Sequence, residues 1–157
     1  MRNKIVDQDE LVSIVDKLKR EGKKVAATSG CFDILHAGHV TYLEKAKEKA
    51  DYLILFLNTD NSVKSLKGES RPIVPENERA IVVAGLECID YVCLFDEKTP
   101  CNVIEKVKPD MWIKGADYRG VDIPEKAIIE EYGGKIDFVD MVDGCSSTNI
   151  IQKIRNA

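Results

Sequence analysis

The chain has 157 residues, of which 44% are hydrophobic and 32% charged. This balance is typical of one soluble globular domain and leaves no room in the chain for a second catalytic module. The 23 basic and 27 acidic residues give a formal net charge of −4, so no global positive field attracts nucleic acid or an anionic membrane. We find neither an apolar stretch approaching the roughly 20 residues of a membrane span nor the apolar core of a signal peptide, and we therefore expect a cytoplasmic protein.

Cysteine and histidine usage narrows the chemistry further. The five cysteines are odd in number and form no C-x-x-C pair, which argues against a disulfide framework and a structural zinc site. We expect most of them to be buried thiols. The only histidines are His36 and His39, and no third histidine or H-E-x-x-H pattern accompanies them, so we predict no metal ion held by the protein alone.

The hydrophobic pattern predicts alternating strands and helices. A leading helix over 7–20, within the segment 1–22, has apolar residues at Leu11, Ile14, Val15 and Leu18. Strands are predicted over 24–28, 51–57, 91–95, 111–114 and 135–139, and helices over 37–50, 75–88, 99–107, 124–132 and 149–155. Because parallel neighbours require crossover connections, this alternation predicts a doubly wound α/β domain with a five-stranded parallel sheet.

Two segments carry more specific expectations. Residues 58–75 lack long periodicity and contain several basic residues and two prolines, so we expect an exposed, mobile connection. In the last helix, we expect Ile150, Ile151 and Ile154 to lie on the buried side.

Polar and glycine-rich motifs follow four of the five strands. They occupy residues 30–33, 58–60, 115–118 and 144–148. Ligands of open parallel sheets bind beyond the carboxyl ends of the strands, where the strand order reverses, so we expect these motifs to meet at one site.

The residue types at these positions favour phosphate chemistry. His36 and His39 stand at a predicted helix start, where backbone amides and the helix dipole attract anions. From the residues alone, the alternatives are packed core histidines or half of a metal site, and the second lacks a third histidine or an H-E-x-x-H glutamate. Hydroxyls at 146–148 suit either a phosphate cradle or ordinary helix capping. Arg79 follows acidic residues in a first helical turn, where a cation needs either a ligand or a buried carboxylate partner.

The segment from Thr28 to His39 resembles the HxGH signature of the cytidylyltransferase-like nucleotidyltransferases, which have Rossmann-like folds. Residues 66–72, 75–79, 113–118 and 143–150 extend the likeness to the heptose-1-phosphate adenylyltransferases, a domain fused to a sugar kinase in many bacteria. The likeness covers about residues 24–155 and no kinase accompanies it.

This resemblance implies an activity and a set of roles. The expected reaction transfers AMP from ATP to D-glycero-β-D-manno-heptose 1-phosphate and releases pyrophosphate, with Mg²⁺ carried by the triphosphate and a homodimer as the assembly. Catalytic roles fall to His36, His39 and Lys67. Nucleotide contacts are expected from Gly30, Cys31, Phe32, Gly38, Arg79, Gly115, Ala116, Asp117, Ser146, Ser147 and Thr148. Substrate contacts are expected from Asp33, Asn58, Arg71 and Lys114.

The chain departs from the family pattern at two places. Ser29 stands where relatives usually have Asn, and no arginine precedes Ser146 as it does in the glycerol-phosphate cytidylyltransferases. The second departure disfavours CTP with glycerol 3-phosphate, which stays open as an alternative. GTP with the opposite heptose anomer and a nucleotide-binding sensor without turnover are the others. No base beyond the two histidines is available to activate Cys31, so we treat that thiol as structural.

Overall fold

Five parallel strands form one sheet in the order β3-β2-β1-β4-β5. The computed structural model describes residues 1–157, and its strands are β1 Val25–Gly30, β2 Tyr52–Asn58, β3 Tyr91–Phe95, β4 Met111–Gly115 and β5 Lys135–Val139. From β1 the chain first builds outward through β2 and β3, then crosses back to place β4 on the other side. The predicted Rossmann-like, doubly wound fold class is thereby confirmed.

Helices cover both faces of the sheet. They are α1 Gln8–Arg20, α2 Ala37–Lys47, α3 Asp60–Lys67, α4 Glu76–Ala84, α5 Cys101–Val107, α6 Glu125–Glu131 and α7 Ser147–Arg155. One core cluster joins apolar residues of α1, α5 and α6 to one face, and a second joins residues of α2 and α4 to the other. No helix is both long and apolar enough to cross a membrane.

Alternation along the central strands explains the two cores. In β1, Ala27 belongs to the first cluster and Ala26 to the second, because successive side chains of a strand point to opposite faces. Every residue from Leu53 to Asn58 in β2 is buried. β2 is therefore covered on both faces, which explains the unbroken apolar run that predicts it.

The pairing of β1 with β4 is much shorter than that of the other strands. β1 and β2 are in register over six residue pairs, whereas β1 and β4 are in register only at Ala26 with Met111 and Ala27 with Trp112. Toward the carboxyl ends no further residue pair of the two strands belongs to the ladder. The resulting crevice lies where the strand order reverses, as the fold predicts.

Two local expectations need correction. Residues 64–70 of the connection 58–75 are exposed as predicted, but the connection is not without regular structure. The connection 58–75 contains the helix α3, in which Ser62 and Val63 are buried and the Thr59 hydroxyl accepts a hydrogen bond from the Ser62 amide at 3.2 Å. A helix of only eight residues is too short to show a clear period in the sequence. In α7, Ile150 and Ile151 are half-buried, but Ile154 is 66% exposed because α7 extends beyond the core at the end of the chain.

Candidate active site

A cavity of about 410 Å³ opens at the carboxyl ends of β1 and β4. The predicted site residues that line it are Gly30, Cys31, Phe32, Asp33, His36, Gly38, His39, Lys67, Lys114, Gly115, Asp117, Ser146, Ser147 and Thr148. They come from the ends of β1 and β4, the segments that follow β1, β4 and β5, the starts of α2 and α7, and the end of α3. The fold therefore brings most of the separate motifs into one place.

His36 and His39 form a reciprocal cap at the start of α2. His36 Nδ1 accepts a hydrogen bond from the His39 amide, and His39 Nδ1 accepts one from the His36 amide, both at 3.4 Å. The two rings stack with centroids 3.8 Å apart. Each imidazole thus satisfies a backbone donor that has no partner within the helix.

This arrangement fixes the chemistry of both rings. Because each Nδ1 accepts a hydrogen bond, a neutral ring carries its proton on Nε2. Burial lowers the pKa of His36, and burial together with the charges of His36 and Lys67 lowers the pKa of His39 to about 4. Neither Nε2–H group donates within the protein. Near neutral pH the cavity therefore holds two uncharged imidazoles with free donors.

The loop between β1 and α2 has a strained backbone held from outside. Phe32 and Ile34 have φ values of 47° and 49°, in the left-handed region that non-glycine residues seldom adopt. Ser147 Oγ donates to the carbonyl oxygens of Asp33 and Ile34. None of the amides of residues 32–35 has a backbone hydrogen-bond partner. A loop with tethered carbonyls and free amides is suited to an anion.

Arg79 supports this loop from below and does not line the cavity. Its guanidinium is 1% exposed and donates to the carbonyl oxygens of Cys31 at 2.7 Å, Asn58 at 2.9 Å and Val74 at 2.8 Å. It also pairs with Asp60 at 2.8 Å. The sequence left open whether Arg79 meets a ligand or a carboxylate, and in the structure its partner is the carboxylate of Asp60.

The structure also places three predicted substrate or nucleotide contacts outside the cavity lining. The amide of Asn58 is buried and donates to Ser62 Oγ at 2.9 Å. Arg71 Nε pairs with Asp33 Oδ2 at 3.3 Å. Ala116 lies in the 3-10 turn after β4, where it leaves the lining to Gly115 and Asp117. Local partners within the protein explain the first two placements.

Asp33 reaches the cavity, but its carboxylate is already engaged. Besides Arg71, it accepts hydrogen bonds from the amides of Ile73 at 2.8 Å and Val74 at 3.0 Å. The side chain is 1% exposed. Asp33 therefore fastens the segment after α3 to the loop after β1.

The three hydroxyl residues at the start of α7, residues 146–148, have different contacts. Ser146 Oγ accepts a hydrogen bond from the Asn149 amide at 3.0 Å, which is the capping role that the sequence left open. Ser147 binds the strained loop, and Thr148 is exposed at the cavity. A Cβ atom on Gly38 would lie 2.7 Å from the Cβ of Cys145, so Gly38 allows the loop before α7 to approach α2.

Basic side chains are concentrated on two sides of the cavity. Lys67 lies on one side, and Lys114 lies on the other with its ammonium 4.1 Å from the ring centre of Tyr118.

Burial raises the pKa of the Cys31 thiol, which keeps it neutral and fits the structural role expected for it. All five cysteines are free, but only Cys93 is fully buried, so the expectation that most are buried is wrong.

Seven further lining residues are not among the predicted site residues, although Tyr118 and Cys145 lie in the motifs 115–118 and 144–148 that were expected to meet at the site. These are Thr28, Ser29, Tyr42, Tyr118, Met141, Val142 and Cys145. Tyr42 follows His39 by three positions, and this helical spacing is a signal that places it on the same side of α2. Met141 and Val142 show no such signal, because they lie in an irregular segment after β5.

The carboxylates of the cavity suffice to hold a metal ion only together with phosphate oxygens. No group of three or more His, Cys, Asp and Glu side chains is arranged to hold a metal ion. Of the two aspartates in the lining, Asp33 is engaged and Asp117 makes no hydrogen bond through its carboxylate. Mg²⁺ in phosphoryl-transfer sites is commonly held by one or two carboxylates, phosphate oxygens and water, and this donor set fits that arrangement.

The low pKa of His39 predicts a pH-dependent stability. The unfolded chain binds a proton at His39 near pH 6.5 and the folded chain only near pH 4, so the free energy of unfolding should fall as pH drops through this window. Urea unfolding at pH 7.5 and pH 5 should show a smaller pH-dependent loss for His39→Gln than for wild type. Equal losses in the two proteins would contradict a neutral, buried His39.

The contacts of Arg79 predict a large structural cost on substitution. Arg79→Met should lower the free energy of unfolding by about 3 kcal/mol or more, because it removes the partner of a carboxylate and of three carbonyls. Arg155→Met, at an exposed position of α7, is the matched control and should change it by no more than about 0.5 kcal/mol. Similar urea midpoints for both variants would show that Arg79 does not support the loop.

Comparison with known proteins places the chain in a family. A family model described as cytidylyltransferase-like matches residues 27–153. The bifunctional protein HldE of Geobacter metallireducens is 51% identical over 154 residues, 98% of this chain and 31% of that protein. HldE of Geobacter sulfurreducens is 48% identical with the same coverage. The chain thus spans about a third of the length of these curated relatives.

Solved structures agree with the fold. The lipopolysaccharide core biosynthesis protein from Thermoplasma volcanium has a TM-score of 0.62 at 29% identity and covers 77% of this chain and 98% of its own. Pantoate-beta-alanine ligase from Francisella tularensis has the same TM-score, covering 98% of this chain and 78% of its own, but at 17% identity it shows the fold alone. The family match spans far more than half of the chain and confirms the nucleotidyltransferase class at family level: the chain belongs to the cytidylyltransferase-like family.

Proposed function

We propose that the chain transfers AMP from ATP to D-glycero-β-D-manno-heptose 1-phosphate, giving ADP-heptose and pyrophosphate. The observation that carries the proposal is the pair of neutral histidines with free Nε2–H donors in a cavity of nucleotide size. The similarity to HldE proteins and to a lipopolysaccharide core biosynthesis protein supports heptose as the sugar.

The chemistry required is compatible with the residues present. A phosphate oxygen of the sugar phosphate attacks the α-phosphorus, a new P–O bond forms, and the bond to the bridging oxygen breaks as pyrophosphate leaves. The nucleophile is already an anion, so no general base is needed. The protein has to position the reactants and stabilise the charge that grows on the leaving oxygens.

In this proposal several hydrogen-bond donors around the cavity bind the phosphate groups. The Nε2–H groups of His36 and His39 donate to the triphosphate. The start of α7 and the free amides of Phe32 and Asp33, the residues of that loop that line the cavity, add further donors. Lys67 supplies positive charge from the end of α3. The histidine donors are held by the reciprocal cap before the substrates arrive, which makes them effective in the transition state.

The base and sugar would occupy the side of the cavity formed by the loop after β4. Gly115, Asp117 and Tyr118 line it together with Lys114, a second cation for the sugar phosphate. A Cβ atom on Gly115 would lie 2.5 Å from Asp117 Oδ1, so a larger residue here would displace the Asp117 carboxylate. Mg²⁺ would enter with the nucleotide, with Asp117 as its available carboxylate, and would neutralise phosphate charge.

Two further expectations from the sequence stay predictions. The homodimer follows from the family resemblance, and sedimentation at several protein concentrations would measure it. The cytoplasmic location is the second, and cell fractionation would measure it.

Pyrophosphate release tests the proposed reaction. The purified chain with Mg²⁺ is incubated with ATP, CTP, GTP or UTP, each with β- or α-heptose 1-phosphate or glycerol 3-phosphate. We expect release with ATP and the β-sugar. Release only with another pair would replace the substrates and keep the chemistry, while nucleotide binding without release from any pair would favour a sensor.

Lys67 and Lys64 provide a matched test of the charge argument. Both are exposed lysines in the last turn of α3, but only Lys67 lines the cavity. Lys67→Ala should lower kcat/KM by about 100-fold, the typical cost of losing one transition-state donor, and Lys64→Ala should stay close to wild type. Equal effects of the two variants on pyrophosphate release would contradict a specific role for Lys67.

A further inference from the structure

The floor of the cavity contains a joint that replaces the missing pairing of β1 and β4. The register ends at Ala27 and Trp112, so Thr28 and Ile113 would form the next pair. Instead, the Thr28 hydroxyl donates to the Ile113 carbonyl oxygen at 2.9 Å. The two strands are thus tied through a side chain at the point where their ladder ends.

Tyr42 brings a third element into the same joint. Its hydroxyl oxygen lies 2.8 Å from Thr28 Oγ1 and 3.2 Å from the Ile113 carbonyl oxygen. Because Thr28 donates its only proton to that carbonyl, the Tyr42 proton goes either to Thr28 Oγ1 or to the same carbonyl oxygen. The residue is 8% exposed and follows His39 by three positions in α2. Burial raises the pKa of Tyr42 to about 12, so the hydroxyl keeps its proton at any working pH.

The position of this joint links the two sides of the cavity. α2 carries the paired histidines at its start, and β4 leads from Ile113 directly into Lys114 and Gly115. No residue pair of the β1 and β4 ladder lies between this joint and the cavity. The distance between the histidines and the loop after β4 therefore depends on hydroxyl contacts rather than on a continuous ladder.

We propose that Tyr42 and Thr28 act together as positioning residues that set the width of the crevice between the histidine-bearing helix and the loop after β4. The inference rests on the proposed nucleotidyl transfer, since it makes these hydroxyls responsible for the alignment of the triphosphate with the sugar phosphate. Neither hydroxyl has to touch a reacting atom for this role.

Removing either hydroxyl should impair turnover more than binding. Misplacement of reacting groups by about 1 Å costs on the order of 100-fold, so Tyr42→Phe and Thr28→Val should each lower kcat by about 10- to 100-fold. The nucleotide KM should change much less. Because the hydroxyls act as a unit, the double variant should lose no more than the worse single variant.

Two controls separate positioning from stability. Thr28→Ser keeps the hydroxyl and should restore most of the turnover. Tyr91→Phe removes a hydroxyl at the amino end of β3, on the far edge of the sheet, and should leave kcat unchanged. A lowered melting temperature with wild-type kcat in Tyr42→Phe and Thr28→Val, or strictly multiplicative losses in the double variant, would overturn the proposal.

If the wild type turns over no substrate pair, the proposed function alone is refuted. A spectroscopic measurement then tests the positioning role of the two hydroxyls. The chain has only two histidines, so their imidazole signals are assigned from one variant each. In Tyr42→Phe we expect shifts both in the imidazole signals and in the amide signals of residues 115–118. An unchanged set on either side would show that the joint does not set the crevice.

Discussion

The site depends on the reciprocal hydrogen bonds between His36 and His39 at the start of α2. Each ring accepts from the backbone of the other residue, and this exchange assigns the proton of each ring to Nε2. Stacking and burial keep both rings neutral, since two imidazolium ions with centroids 3.8 Å apart would repel each other. A short motif thereby provides the helix cap, the ring orientation and the pair of donors at once.

The surrounding fold holds the remaining donors in place around this pair. Arg79 and Ser147 tether the carbonyl oxygens of Cys31, Asp33 and Ile34, and this tethering leaves the amides of the same strained loop free. Asp33 in turn fastens the segment after α3. Several polar residues of the motifs therefore act on the protein itself, and their role toward a ligand is to fix the backbone that meets it.

The sequence was sufficient for the sheet and for the place of the site. Apolar runs predicted β3 and β5 with their observed bounds, and the motifs at strand ends predicted which loops meet. It was insufficient for partners distant in the chain. Arg71 and Arg79 have the charge of phosphate ligands, and only the folded structure shows that Asp33 and Asp60 already hold them.

Other differences have similar causes. α3 escaped notice because its buried face consists of Ser62 and Val63, too few residues to establish a period. The exposed position of Ile154 depends on where α7 leaves the core, which its own pattern does not encode. Tyr42 looks like an ordinary core aromatic until the short β1 and β4 pairing shows what its hydroxyl replaces.

The protonation state of the two imidazoles in the free protein at pH 7 tests the donor role of the histidines most directly. Nitrogen-15 spectra that correlate ring nitrogens with ring protons distinguish the Nε2-protonated form, the Nδ1-protonated form and the imidazolium ion. We expect His36 and His39 both to be neutral with the proton on Nε2. An imidazolium signal, or a proton on Nδ1 of either ring, would contradict the reciprocal cap and the donor role built on it.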